Sequence, residues 1–107
     1  MDPGCRKISK EILPAVRASV AQTMISECNY RQREIAEKLG VVQVSVSKYI
    51  NKKYSKEISD IVGYIKGNRL EGKVIESIVK GKPISEISAE LDSLCEDVAN
   101  SSYYKKI

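Results

Sequence analysis

Apolar residues recur through most of this chain at intervals of three and four, the spacing that lines one face of an α-helix. The spacing predicts a first helix over Leu13–Cys28 and two short helices within Gln32–Asn51. Ser55 is the predicted cap of a fourth helix, a fifth is expected over about 70–80, and a sixth starts at Pro83. No stretch has the alternation typical of strands, and no internal repeat is present. The chain is therefore predicted to be all-α.

The segment Gln32–Asn51, QREIAEKLGVVQVSVSKYIN, has the pattern of a helix-turn-helix. Gly40 can take the left-handed conformation that ends one helix and redirects the chain. Ala36 is small enough for the second helix to cross it at close range. The other predicted core positions of the pair are Ile35, Leu39 and Val46, with either Tyr49 or Ile50. The alternative is an ordinary helical hairpin that has the same spacing.

The second helix of this pair, over about Val42–Asn51, is predicted to turn a short polar and cationic face outward, formed by Gln43, Val44, Ser47 and Lys48. Such a face suits insertion into the major groove of DNA. Lys52 and Lys53 follow in the exit turn, where we expect them to contact phosphates only. Residues 1–55 contain ten Lys/Arg against five Asp/Glu, whereas the whole chain has a net charge of +4. The positive charge therefore accompanies the predicted DNA-binding half.

The composition argues against an enzyme. The chain contains no histidine, so the usual general base at neutral pH is missing, and it has no glycine-rich phosphate loop. No cofactor and no small-molecule effector is implied. No apolar run approaches the length of a membrane span, and the first residues lack the apolar core of a signal peptide. We therefore expect a cytoplasmic protein with no membrane partner.

One face of the predicted sixth helix carries a narrow apolar seam, in which the residues are spaced alternately by three and four over two heptads: Ile84, Ile87, Leu91, Leu94 and Val98. The seam would pack either against a second copy of the chain or against the chain's own helices. Pairing with a second copy is favoured because one helix-turn-helix contacts too few base pairs for useful specificity, and such modules usually dimerise. We therefore predict a DNA-binding domain over residues 8–66 and a dimerisation region over residues 67–102.

The three cysteines, Cys5, Cys28 and Cys95, show no C-x-x-C spacing, and without histidine they cannot complete a usual zinc site within one chain. No metal site is therefore predicted. Cys28 is expected to be a small buried hydrophobe. Cys5 and Cys95 are candidates for a disulfide, either with each other or between subunits, although cytosolic thiols normally stay reduced.

Four features occur together in the first half of the chain: Cys5, the LPAVR segment Leu13–Arg17, the QREIA segment Gln32–Ala36 and the VSKY segment Val46–Tyr49. In this combination the chain resembles a family of small archaeal helix-turn-helix transcriptional regulators. The same helices also begin larger archaeal proteins that continue with a thiamine-phosphate-binding domain, for which 107 residues leave no room. One position departs from the pattern, because Val42 stands where Ser or Thr usually caps the recognition helix.

The resemblance extends to phage-type repressors and implies roles for individual residues. Gln32 would clamp a phosphate and brace Gln43, and Gln43 would pair with an adenine. Val44 would touch a thymine methyl group, and Lys48 would reach a guanine edge or a phosphate. Asn51 would contact a phosphate just past the helix.

Three functions are compatible with these features. The favoured one is a sequence-specific transcriptional regulator that binds double-stranded DNA as a homodimer. The second is a low-specificity chromosomal DNA-binding protein, and the third is a helical adaptor that binds another protein. The specificity and salt dependence of DNA binding distinguish the three.

Overall fold

The structure is a computed structural model that describes the backbone of residues 8–101 and the side chains of residues 10–101. A π-helical turn, Ile8–Ile12, is followed by six α-helices: α1 Leu13–Cys28, α2 Gln32–Leu39, α3 Gln43–Ile50, α4 Lys56–Gly67, α5 Gly72–Val79 and α6 Ile84–Ala99. No strand occurs within these residues, which confirms the all-α prediction. None of the helices described is long and apolar enough to cross a membrane.

The helix ends follow from local sequence signals. Asn29 ends α1 with a φ of 57°, and Gly40 ends α2 with a φ of 68°, both in the left-handed conformation that releases the chain from a helix. At the start of α4, the Ser55 hydroxyl accepts a hydrogen bond of 3.3 Å from the Ile58 N–H. These three predicted boundaries are confirmed. The fifth helix begins at Gly72, later than expected, because residues 68–71 form turns.

The first long helix, α1, is the centre of the fold. It packs against each of the other five helices and against the turn Ile8–Ile12. Its fully buried apolar side chains lie on several sides of the helix: Ala15, Val16, Ala18, Val20, Ala21 and Met24. The small alanines let neighbouring helices approach closely. The resulting hydrophobic core is one cluster that extends from Ile12 to Val98.

The seam of α6 faces this core. Ile87, Leu91, Leu94 and Val98 are between 0% and 6% exposed within the single chain, and α6 packs against α1, α2 and α5. These four residues were predicted to form a dimer interface, but side chains already buried in their own subunit have no area to offer a partner. Packing on the chain's own helices, the other possibility that the pattern left open, is what the structure shows. Only Ile84, at 50% exposure, remains accessible among the five.

The apolar residues of α5 do not all face the core. Val74 and Ile78 are buried. Val79 is instead exposed at the last position of the helix. Helical periodicity defines which residues share a face, but the core covers that face only as far as the neighbouring helices reach.

Candidate nucleic-acid interface

Two eight-residue helices, α2 and α3, pack against each other and are joined by the three residues 40–42. Ile35, Ala36 and Leu39 of α2 are buried, and Val46 of α3 is fully buried. The turn is closed by a hydrogen bond of 3.0 Å from the Val41 N–H to the Ala36 carbonyl. Both helices, the turn and these four buried side chains therefore occur at the positions predicted from the sequence, whereas Tyr49 and Ile50, one of which was expected in the core, are both only half-buried.

The face of α3 that points away from the core consists of the predicted contact residues. Gln43, Val44 and Lys48 are exposed, and Ser47 is half-buried. Val44 is 65% exposed and Val42 is 68% exposed, so two apolar side chains meet solvent at the start of the helix. Polar, apolar and cationic groups thus lie side by side on one accessible surface, as contact with the varied edges of base pairs requires.

The beginning of α3 lacks a side-chain cap, as the sequence predicts. Val42 occupies the capping position, and only its backbone carbonyl contributes, accepting from the N–H groups of Ser45 and Val46 at 3.0 and 3.4 Å. Gln32, at the start of α2, is half-buried and forms no hydrogen bond with Gln43 in the described part of the chain. The bracing contact that the resemblance implies for this pair is therefore not formed here.

The end of α3 is held more firmly. The Asn51 side-chain amide donates to the Ser47 carbonyl at 2.9 Å and to the Ser47 hydroxyl at 3.3 Å. With the amide engaged in this way, Asn51 would contact a phosphate only after giving up these bonds. Lys52 follows in the left-handed conformation, with a φ of 57°, and the N–H of Lys53 bonds the Lys48 carbonyl at 2.9 Å.

A glutamine of the central helix fixes the position of this end, and the sequence analysis missed it. The Gln22 side-chain amide donates to the Tyr49 carbonyl and to the Tyr54 hydroxyl, both at 2.9 Å. Its carbonyl oxygen accepts a bond of 2.9 Å from the Lys66 ammonium group of α4. One side chain therefore joins α1, the last turn of α3, the exit turn and α4. The available signal was a polar residue in the middle of the otherwise largely apolar α1.

The cations around this surface are free of carboxylate partners. Lys48, Lys52 and Lys53 are exposed, and within the described residues none forms an ion pair within 4.0 Å. By contrast, Arg33 of α2 lies 3.7 Å from Glu37 on the solvent face of that helix. The unpaired lysines give the end of α3 a local positive potential that attracts polyanions.

The cysteines show no site of their own in the residues described. Cys28, predicted to be buried, is only half-buried, and Cys95 is buried, both as free thiols. Cys5 lies outside the described residues, so the predicted Cys5–Cys95 disulfide stays a prediction. Burial raises the pKa of the Cys95 thiol to about 11, and the charge of Asp92 acts in the same direction. No group of three metal-binding side chains is found among the residues described.

In comparisons with known proteins, no protein-family model, no curated protein and no solved structure matches the chain.

Proposed function

We propose that the protein is a sequence-specific transcriptional regulator that binds double-stranded DNA with α3 in the major groove. The observation that carries the proposal is the outward face of α3, where Gln43, Val44 and Lys48 are all exposed on a helix whose opposite side is anchored by Val46. The resemblance to small archaeal helix-turn-helix regulators, drawn from the motifs alone, supports the same conclusion.

The proposal divides the residues into two groups. Gln43 and Val44 lie in the first turn of α3 and would contact base edges, whereas Lys52 and Lys53 lie beyond its end and would contact phosphates. Gln43 is fully available for this role because its side chain forms no hydrogen bond within the described chain. A glutamine amide can donate to and accept from adenine at the same time.

The test is selection of bound duplexes from a random library by the wild type, Gln43→Ala and Lys52→Ala. Gln43→Ala should cost about 1–3 kcal/mol and relax the preference at one base position. Lys52→Ala should weaken binding to all sequences alike and reduce the salt slope by about one unit. An unchanged selected motif for Gln43→Ala would show that the base-contacting face is wrongly assigned.

The wild-type protein in the same experiment separates the broader alternatives. A regulator should prefer its selected site by about three orders of magnitude or more over random duplex at physiological salt. A chromosomal protein would bind all duplexes with similar affinity and a steep salt dependence, and an adaptor would bind none. Either of these results would contradict the proposal.

The proposal includes a homodimer, because two half-sites give the specificity that one helix lacks. The interface has to lie outside the buried seam of α6. Val79 and Ile84, which flank the connection between α5 and α6, are exposed apolar side chains and are the first positions to test. Light scattering over a range of protein concentrations, with Val79→Lys and Ile84→Lys, measures the oligomeric state directly.

A further inference from the structure

A groove of about 260 Å³ opens beside the end of α3. One wall is the exit turn with Lys52 and Tyr54, and the other is the edge of α4 that carries Ser59, Gly63 and Lys66. Gln22 and Val62 complete the lining, so no carboxylate contributes to it. The sequence analysis assigned no role to the α4 side of this groove.

Several polar side chains of the groove have N–H and O–H donors that form no hydrogen bond within the described residues. The Tyr54 hydroxyl accepts from Gln22, which leaves its own O–H free to donate. The Lys66 ammonium group uses one of its three N–H bonds on Gln22 and keeps two. Neither the Ser59 hydroxyl nor the Lys52 ammonium group bonds to any described residue. Four residues with available donors, two of them cationic, therefore line one groove, and an anion with several acceptor oxygens fits that chemistry.

The shape of the groove favours a phosphate that belongs to a long polyanion. Gly63 has no side chain, and a Cβ placed there would meet no atom within 4 Å, so this part of α4 presents open space to an approaching backbone. Ser59 is similarly short. Neither acidic residue of α4 lines the groove. At 100° per residue, Glu57 is about 160° and Asp60 about 100° away from Ser59 around the helix, while Asp60 is about 60° from Gly63 and is the carboxylate nearest to the groove on α4. The groove is also continuous, through Lys52, with the basic turn that follows α3.

We propose that this groove binds a backbone phosphate of the duplex whose bases α3 contacts, so that α4 extends the protein's contact with DNA beyond the helix pair. This inference rests on the proposed function, since it takes duplex DNA as the partner. In it Gln22 is a positioning residue, because it holds Lys66 and Tyr54 on one side and the end of α3 on the other.

The experiment measures binding to a selected duplex and to a random duplex between 50 and 200 mM salt, the range over which loss of phosphate contacts is best resolved. Lys66→Gln removes one charge from the groove, and Lys73→Gln removes one from an exposed position of α5 as a matched control. Gly63→Glu places a carboxylate in the groove, and Gly63→Ala controls for the added carbon. Circular dichroism verifies that each variant is folded.

We expect Lys66→Gln to weaken binding to both duplexes by the same factor, with a loss about threefold larger at 50 mM than at 200 mM salt, as one lost phosphate contact implies. Gly63→Glu should weaken binding further, whereas Gly63→Ala and Lys73→Gln should bind as the wild type does. If Lys66→Gln and Gly63→Glu bind like Lys73→Gln while the wild type binds DNA, the groove proposal is overturned and the proposed function stands. If the wild type binds no duplex, both fall.

A free phosphate ion could occupy the same groove instead of a phosphate of the DNA backbone. A titration with inorganic phosphate, followed by the NMR chemical shifts of the backbone amides, distinguishes these two occupants. Shifts of the Gly63 and Ser59 amides at millimolar phosphate, together with unchanged DNA affinity of Gly63→Glu, would assign the groove to a small anion and overturn the DNA-backbone assignment. Loss of DNA affinity in Gly63→Glu, with weak or no shifts from phosphate alone, supports it.

Discussion

Two identical substitutions on α6, Leu91→Lys and Ile84→Lys, test whether the apolar seam belongs to the core or to an interface. Both residues have the same place in the heptad pattern, yet Leu91 is 3% exposed and Ile84 is 50% exposed. Leu91 lies in the middle of a helix that packs against α1, α2 and α5, whereas Ile84 is the first residue of that helix. The structure therefore predicts opposite outcomes for one chemical change.

The magnitude follows from burial. Removing a buried leucine side chain costs about 2–5 kcal/mol, and an ammonium group placed in the same space adds a desolvation penalty that its flexible stem relieves only in part. A domain of this size is stable by about 5–15 kcal/mol, so Leu91→Lys should remove most of the stability. Ile84→Lys changes a position that is half exposed in the single chain and should shift the stability of the folded subunit by no more than about 1 kcal/mol, any effect on dimer formation being measured separately.

Thermal and urea unfolding followed by circular dichroism measure the two stabilities, and light scattering measures the oligomeric state. We expect Leu91→Lys to unfold at a much lower temperature, or to be unfolded at room temperature. Ile84→Lys should keep a melting temperature close to that of the wild type at protein concentrations at which both are monomeric. The core assignment is refuted if Leu91→Lys keeps the wild-type melting temperature and changes only from dimer to monomer. In that case the seam is intermolecular, as the sequence alone favoured.

Two further predictions concern polar groups in the core. Thr23→Val removes the hydroxyl that donates a 2.8 Å hydrogen bond to the Glu71 carboxylate, which is only 5% exposed, so urea unfolding should show a loss of about 1.5–3 kcal/mol. Thr23→Ser keeps the hydroxyl and should lose less; equal stabilities for the wild type and Thr23→Val would contradict the argument. Burial raises the pKa of Cys95 in the folded state to about 11, whereas the unfolded chain has a cysteine pKa of about 8.5. The buried neutral thiol therefore contributes fully to the free energy of unfolding below about pH 8.5, and this contribution is lost as the pH rises towards about 11. Comparing the wild type with Cys95→Ala at several pH values from about 8 to 10 isolates this contribution, and parallel curves would show that the thiol does not titrate as proposed.

The sequence was a good guide wherever the cause is local. The ends of α1 and α2 depend on the left-handed residues Asn29 and Gly40, and the start of α4 depends on a bond between residues three apart. Such interactions are decided within one or two turns of chain. The missing side-chain cap at Val42 was predictable for the same reason.

The contacts that the sequence could not indicate are those between distant segments. Gln22 joins Tyr49, Tyr54 and Lys66, which are 27, 32 and 44 residues away, and no periodicity encodes such a pairing. The direction of the α6 seam was ambiguous for a related reason: a heptad stripe has the same spacing whether it is covered by another subunit or by α1. Only the three-dimensional arrangement, with α1 buried on several sides, decides between these.

The two ends of α3 are held in different ways, and this difference bears on how the helix would meet DNA. At its end, Gln22 and Asn51 supply side-chain bonds to the Tyr49 and Ser47 carbonyls, while at its start no side chain caps the first turn. Gln43 lies at the start, and the lysines of the exit turn and the groove lie at the fixed end. Phosphate contacts set the position and orientation of a protein on the duplex, and base contacts provide the sequence specificity. A helix fixed where it would bind phosphates and less restrained where it would contact bases is suited to that division of roles.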